Sequence, residues 1–160
     1  MRSTLFPQEL LLAAGGMALL GAASGLRAGA SVVVERSLVV PAALAATVIL
    51  MIPTLYIGAA FAGVAPSAAQ MLAGARKALA GLGGVLAGLA PAVAFLVLAG
   101  PAGMPTLVAS LALLLGALVA LRALFHQLFA NAQAHRAVPI FGVWSAISVG
   151  IGAQMLGRLL

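Results

Sequence analysis

Only a few side chains in this sequence have the chemistry to react, bind a metal or carry a proton, and they lie far apart. Glu9 is the one acid inside an apolar run, and a proton-coupled carrier requires an acid in such a position. It stands at the start of the run, where the positive end of a helix dipole and headgroup water stabilise a carboxylate. We interpret Glu9 as a residue of the helix start, with proton carriage as the alternative.

The two histidines do not form a metal-binding pattern. His126 and His135 are nine positions apart with no Cys, Asp or Glu near them, whereas helical ligand pairs are spaced by about three or four positions. The chain has no cysteine and no aspartate, and it lacks the GxSxG, HExxH and Walker sequences. We therefore predict no metal, no cofactor, no catalytic residue and no enzymatic activity.

The C-terminal run VGIGAQMLGRLL combines an apolar stretch with three glycines and a glutamine. On a helix, spacings of four, three and four place Ala146, Gly150, Ala153 and Gly157 on one face. Helices in lipid are held together by close packing and interhelical hydrogen bonds, so small residues mark a contact and Gln154 can bond across it. We call these five residues the small-residue seam. It is predicted to contact another helix, either of this chain or of a different protein.

Two further features bear on packing and on transport. Gly84 and Gly88 form a second small-residue packing motif in the third apolar run. Intramembrane polar side chains sometimes mark a transport path, and Gln154, Thr54 and Ser148 are the candidates for lining one. Packing is the first interpretation of Gln154, because paths for ions and polar solutes use buried charged residues that are scarce in this chain.

The composition requires lipid around most of the chain. Hydrophobic residues make up 64% of it and charged residues 6%, against roughly 25% charged in an ordinary soluble domain. The mean hydropathy of +1.24 and several apolar stretches near the ~20 residues that cross a bilayer agree with this. Eight Lys and Arg against two acids give a net charge of +6. These basic residues are dispersed without interleaved aromatic residues, which indicates membrane-flanking loops and not nucleic-acid binding.

Apolar runs bounded by charge, Pro or Gly predict a single integral membrane domain over residues 1–160, an all-α polytopic transmembrane helical bundle. It has five spans, or four if the first segment does not cross. That first segment is expected to be a retained helix and not a cleaved signal peptide. Pro53 and Pro91 are expected to kink the second and third spans. The predicted spans are residues 9–26, 38–61, 78–99, 106–121 and 138–156.

Residues 66–77 connect the second and third spans. Pro66 and Ser67 can start a helix, and apolar residues then recur on one of its faces. The segment is predicted to be a short interfacial helix with Arg76 and Lys77 at the membrane surface. The alternative is that it forms the first turns of a long third helix.

The basic residues favour one orientation in the membrane. Five helices place the termini on opposite sides, and five Lys and Arg then lie on the N-terminal side against three on the other. Because cytoplasmic loops carry an excess of Lys and Arg, the N-terminus is predicted in the cytoplasm and the C-terminus outside. The first group is Arg2, Arg76, Lys77, Arg122 and Arg136, and the second is Arg27, Arg36 and Arg158.

The order of these segments carries a family resemblance. The second run ends in PTLYIGAAF, an amphipathic connector SAAQMLAGARKALAG follows, the third run bears Pro91, and the fourth closes in ALVALRALFHQL. Over residues 38–130 this layout resembles the Yip1-domain membrane proteins and their bacterial relatives. The resemblance implies an integral membrane protein without catalytic or ligand-binding residues, linked to membrane organisation or acting beside larger complexes. For a bacterial relative, the expected location is the inner membrane.

These patterns together predict a non-catalytic accessory or scaffold subunit that packs into a larger membrane complex through its small-residue faces. Its expected partners are other membrane protein subunits and lipids, or further copies of itself in a homo-oligomer, and no nucleic acid. One alternative is a small permease or pore. Another is a lipid-interacting protein that organises membranes, with residues 66–77 as an interfacial wedge.

Overall fold

The computed structural model describes residues 5–101, 104–129 and 134–159, and nearly all of them lie in α-helices, with no strand among them. The helices are α1 (Leu5–Gly25), α2 (Ala30–Phe61), α3 (Ala68–Ala99), α4 (Met104–Leu128) and α5 (Ala134–Leu159). α2 to α5 are each long and apolar enough to cross a membrane, so the protein is a multi-pass helical bundle, as its composition predicts. The described residues of α1 fall outside that group of four.

Local sequence sets where the helices begin and end. Gly29, with a φ of +107°, precedes α2, and Gly63, with a φ of +69°, follows it; glycine adopts positive φ without strain. Ser67 caps α3, because its hydroxyl accepts a hydrogen bond from the backbone N–H of Gln70 at 3.2 Å. In return, the Ser67 amide donates to the Gln70 side chain at 2.9 Å. This capping box satisfies two donors that a helix start otherwise leaves unpaired.

α3 runs without interruption from residue 68 to residue 99, so residues 66–77 do not form a separate interfacial helix. The prediction of a separate helix is wrong, and the alternative, the first turns of a long third helix, is correct. The capping box starts α3 at residue 68, ahead of the predicted start of the third span at residue 78. In a bundle, neighbouring helices stabilise a helix that contains glycines and a proline such as Pro91, so α3 continues past them. Arg76, half-buried, and Lys77, exposed, lie about two turns into α3.

The other helices also extend beyond the predicted spans. α2 begins at Ala30 and continues through Pro53, α4 continues past Arg122 to Leu128, and α5 begins at Ala134. A charge marks where a helix leaves the hydrocarbon, not where it ends. The 32 residues of α2 measure about 48 Å, against about 30 Å for the hydrocarbon core. α2 therefore projects into the headgroup region or crosses the bilayer at a tilt.

α1 runs parallel to α3 and packs closely against it. Gly16 of α1 lies against the main chain of Gly83 in α3, and further along the Arg27 guanidinium donates to the Gly100 carbonyl at the end of α3. Leu20 of α1 is only 1% exposed. α1 thus packs on both α2 and α3 along one face, while Leu11 and Leu19 on its other side are 70% and 54% exposed.

Two arginines stabilise helix ends on the side of the bundle away from the N-terminus. Arg27 donates to the Gly100 carbonyl, and Arg36 donates to the Ser24 carbonyl at the end of α1 at 2.9 Å. Both cations stand at the negative end of a helix dipole. They are two of the three basic residues on that side, so the fold itself explains their presence. The orientation of the chain in the membrane stays a prediction.

Two clusters of buried side chains form the core. One lies around Leu20, Leu86 and Val97 and joins α1 and α3 with parts of α2 and α4. The other joins the end of α2 and the start of α3 with the end of α4 and the start of α5. We call its aromatic part the aromatic cluster; it consists of Phe125, Phe129, Phe141 and Trp144.

Candidate functional site

A long cavity, called here the groove, lies between two pairs of helices. α2 packs on α5 and α3 packs on α4, while contacts between α2 and α3 and between α4 and α5 are few. The groove occupies the space between the pairs, has a volume of about 240 Å³ and is partly open to the outside. Clefts between the helices of a bundle are among the places where small ligands bind.

The groove follows the helix axes and is long for its volume. It begins at Thr106 and Gly157 and ends at Leu124 and Trp144. Residues 106 to 124 of α4 cover about 27 Å along a helix, close to the hydrocarbon thickness of about 30 Å. About 240 Å³ spread over that length makes the groove narrow.

The wall of the groove is mainly apolar, and its deeper polar groups already have partners. The Thr47 hydroxyl donates to the Ala43 carbonyl at 2.9 Å, and the Ser148 hydroxyl donates to the Trp144 carbonyl at 2.8 Å. Leu, Ala, Val and Ile side chains supply most of the remaining wall. The groove can therefore hold a ligand by shape and dispersion, and it offers few hydrogen bonds for orienting a polar one.

The aromatic cluster lies at one end of the groove, where Trp144 is its lining residue. Phe125 of α4 and Phe141 of α5 meet edge to face with ring centroids 5.1 Å apart, and Phe141 lies 5.4 Å from Trp144. The Trp144 indole N–H donates to the Met51 carbonyl of α2 at 2.7 Å. α2, α4 and α5 are joined at this end, and α4 and α5 have little contact beyond it.

The small-residue seam lies on the exposed surface of α5, and two of its residues reach the edge of the groove. All five of its residues are exposed, and a Cβ atom added at Gly150 or Gly157 would have nothing within 4 Å. Ala153 and Gly157 also contribute to the edge of the groove. The α5 glycine that faces α2 is Gly152, whose added Cβ would lie 3.8 Å from Thr47. In the described part of the chain, then, Gly150 and Gly157 pack on no other helix.

Gly84 and Gly88 pack on no other helix in the part of the chain that the structure describes. Both are exposed, with nothing within 4 Å of an added Cβ. The glycine that packs is Gly83, where an added Cβ would lie 2.5 Å from the Ala13 Cα atom of α1. Neighbouring positions on a helix point roughly 100° apart, so a glycine-rich helix has candidates on several faces and spacing alone does not choose among them.

The three residues predicted to line a transport path do not lie together. Ser148 lines the groove, whereas Thr54 and Gln154 lie outside it. The Thr54 hydroxyl instead donates to the Met51 carbonyl at 2.7 Å and accepts a bond from Trp144 at 3.2 Å. The groove lacks the continuous row of polar groups that a polar solute needs along its path.

The titratable side chains also lie away from the groove. Glu9 is half-buried about one turn inside α1 and not at its first residue, because α1 begins at Leu5. His126 and His135 are both exposed, and no group of three or more metal-ligating side chains occurs in the described ranges. The chemistry available in the groove is therefore that of apolar groups and hydroxyls.

Comparisons with known proteins supply no relative for this chain. No protein-family model matches it, and neither a curated protein nor a solved structure does. The resemblance to Yip1-domain proteins stays a prediction, and the seam and the groove are the features on which a functional assignment can rest.

Proposed function

We propose that this integral membrane protein is a non-catalytic subunit of a larger membrane complex and that α5 binds the neighbouring subunit through the small-residue seam. The observation that carries the proposal is the outward position of the seam, with Ala146, Gly150, Ala153, Gln154 and Gly157 all exposed. A helix face of such residues lets a second backbone approach closely, which is how helices associate in lipid.

Glycines inside the bundle show what such an approach looks like. A Cβ added at Gly21 would lie 2.7 Å from the carbonyl carbon of Arg36, and one added at Gly83 would lie 2.5 Å from the Cα atom of Ala13. Gly150 and Gly157 are also helical glycines on a face of small residues, but they have no neighbouring helix in the described part of the chain. A glycine in a helix costs about 1 kcal/mol relative to alanine, and a lipid-facing position offers no packing in return. A neighbouring backbone at the seam supplies that packing.

Gln154 supports the same assignment. Its amide is exposed on the seam and has no hydrogen-bond partner among the described residues. A polar side chain on a lipid-facing helix is unfavourable when it is unpaired. A donor or acceptor on a neighbouring subunit would stabilise it by about 0.6 kcal/mol on average, and by up to about 1.7 kcal/mol in a good geometry.

α5 is also well placed to receive a partner. It packs along α2 and contacts α4 mainly around the aromatic cluster, so much of its surface is uncovered. Val143 and Ile147, which flank the seam, are 63% and 53% exposed. Exposed apolar side chains alone are ordinary in lipid. Their combination with small residues and an unpaired amide is what favours a protein neighbour.

Gly150→Leu is expected to release the partner without unfolding the chain. The added side chain has open space in the isolated protein, but it would hold apart two backbones that pack at the seam. Native mass spectrometry in mild detergent, on protein purified from its own membranes, measures the result. We expect the wild type to carry a defined second subunit, either another protein or a second copy, and the variant to be alone.

Gly88→Leu is the matched control, because Gly88 is also an exposed helical glycine with nothing within 4 Å of an added Cβ. This control should keep the partner. A wild-type protein that is a lone monomer, or a partner that both variants retain, would contradict the proposal.

A further inference from the structure

We infer that the groove is a binding site for one acyl chain of a membrane phospholipid, which enters sideways between α4 and α5. The inference goes beyond the proposed subunit contact. Ala153 and Gly157 of the seam also lie at the edge of the groove, but Gly150, the position tested for the subunit contact, is not a lining residue.

The surroundings of the groove decide what fills it. Its walls come mainly from α2 to α5, the four helices that can cross the membrane, so its open side faces hydrocarbon. An empty space loses the dispersion contacts that its lining would otherwise make. An acyl chain from the adjacent lipid restores these contacts and removes no polar group from water.

Water is a poor occupant of this space. Thr47 and Ser148 bond to carbonyls of their own helices, and the Trp144 indole bonds to Met51. A stable buried water requires about two to four polar partners, and an apolar cavity of about 150 Å³ stays dry and takes up apolar molecules instead. The groove, at about 240 Å³ and with its deeper polar groups satisfied, belongs to the same class.

A helix of another subunit is too large for the groove. With its side chains, a helix is about 10–12 Å across, so a 27 Å length occupies on the order of 2,000 Å³. A cylinder of that width does not fit between α4 and α5 unless the two helices move apart. α4 and α5 cannot separate along their whole length to admit it, because Phe125 and Phe141 hold them together at one end. A single extended hydrocarbon chain suits a space this long and narrow.

The two ends of the groove differ in polarity, and this difference sets the direction in which the acyl chain lies. Trp144 closes one end with the apolar surface of its ring, and Phe141 packs against Trp144. Thr106 and Ser110 lie at the other end on one face of α4, and both are exposed. This end is near the start of α4 at Met104, and so near the headgroup region. The methyl end of the acyl chain therefore lies toward Trp144, and its ester end lies toward Thr106.

The test uses Trp144, which is the single tryptophan of the protein and stands at the closed end of the groove. In vesicles of phosphatidylcholine brominated near the methyl end of one acyl chain, bromine should quench its fluorescence. Ala117→Phe places a ring in the middle of the groove, since Ala117 is a half-buried lining residue. We expect this variant to lose most of the quenching, because the chain can no longer reach Trp144.

Val119→Phe is the matched control. Val119 is 49% exposed on α4 and is not a lining residue, so the same ring is added to the outer surface. This variant should be quenched as strongly as the wild type. Equal quenching in all three proteins would overturn the inference, because Trp144 would then be sensing only the surrounding bilayer. Absence of quenching in the wild type would overturn it as well.

Native mass spectrometry of the wild type keeps the inference testable if Ala117→Phe does not fold. We expect one phospholipid per chain to remain bound after exchange into a detergent of different mass. No bound lipid would count against the site, and an adduct with the mass of a free fatty acid or of the detergent would refute the phospholipid assignment. Loss of a protein partner does not affect this readout, so the two proposals can fail separately.

Discussion

Gly83→Ala is expected to destabilise the protein by about 3 kcal/mol, while Gly84→Ala, one position along the same helix, leaves it at least as stable as the wild type. The Cβ atom added at Gly83 would lie 2.5 Å from the Cα atom of Ala13 and 2.9 Å from its carbonyl oxygen. These are main-chain atoms, so relief requires α1 to move as a whole. That movement would disturb the packing around Leu20 in the centre of the bundle.

Gly84 is the internal standard for this experiment. It has nothing within 4 Å of an added Cβ, so alanine there gains up to about 1 kcal/mol of helix propensity. Both variants are unfolded in mixed micelles with increasing denaturing detergent, and helix content is followed by circular dichroism. Membrane insertion and helix propensity are nearly the same for the two changes and cancel in the comparison. Equal stabilities would contradict the close parallel contact of α1 and α3.

Trp144→Ala is expected to free the start of α5 from the bundle, with a loss of about 3 kcal/mol. The variant loses ring packing against Phe141 and the hydrogen bond to the Met51 carbonyl. We place the loss at the low end of the range for a large aromatic residue, because lipid and not water replaces the lost contacts. Trp144→Phe keeps a ring and loses the N–H, so its expected loss is only about 0.6–1.7 kcal/mol.

Phe95→Ala separates loss of packing from loss of an aromatic side chain. Phe95 is 69% exposed on α3, so its removal should change stability by no more than about 0.5 kcal/mol. Stability is measured by detergent-induced unfolding, and protease access to the 128–134 connection reports on α5 separately. If Phe95→Ala were as damaging as Trp144→Ala, the aromatic cluster could not be the anchor of α5.

Membrane class and helix order follow from the sequence, because apolar stretches of about 20 residues have few other stable states in lipid. The lengths of the helices do not follow from the sequence in the same way. Arg122 follows the predicted end of the fourth span, yet helix α4 continues for more than a turn beyond this residue. Ser67 and Gln70 are visible in the sequence as a helix start, but whether that helix stops near residue 77 or reaches residue 99 depends on the helices that pack around it.

The sequence also does not show which face of each helix packs against a neighbour. The chain has 19 glycines, and their spacing alone does not separate an internal contact such as Gly83 from an outward position such as Gly84. The deciding atoms belong to Ala13, far away in the sequence. The seam of α5 is recognisable as a pattern, but its outward direction depends on which face of α5 rests on α2.

The groove could not be predicted from any one helix. It exists because α4 and α5 meet mainly at the aromatic cluster, while α2 and α3 are held apart elsewhere by their other neighbours. Trp144 illustrates the point: an aromatic residue near a helix start predicts an interfacial position, whereas its bond to Met51 and its place at the end of a groove are set by three helices together.

The most direct test of the central claim, that α5 presents its seam to a neighbouring subunit, is photo-crosslinking in native membranes. A photoreactive side chain replaces Gly150 in one protein and Gly88 in another; both sites are exposed glycines with open space around them. We predict a discrete protein adduct from position 150 and only lipid adducts from position 88. Lipid adducts alone from both positions, or the same protein adduct from both, would contradict the claim.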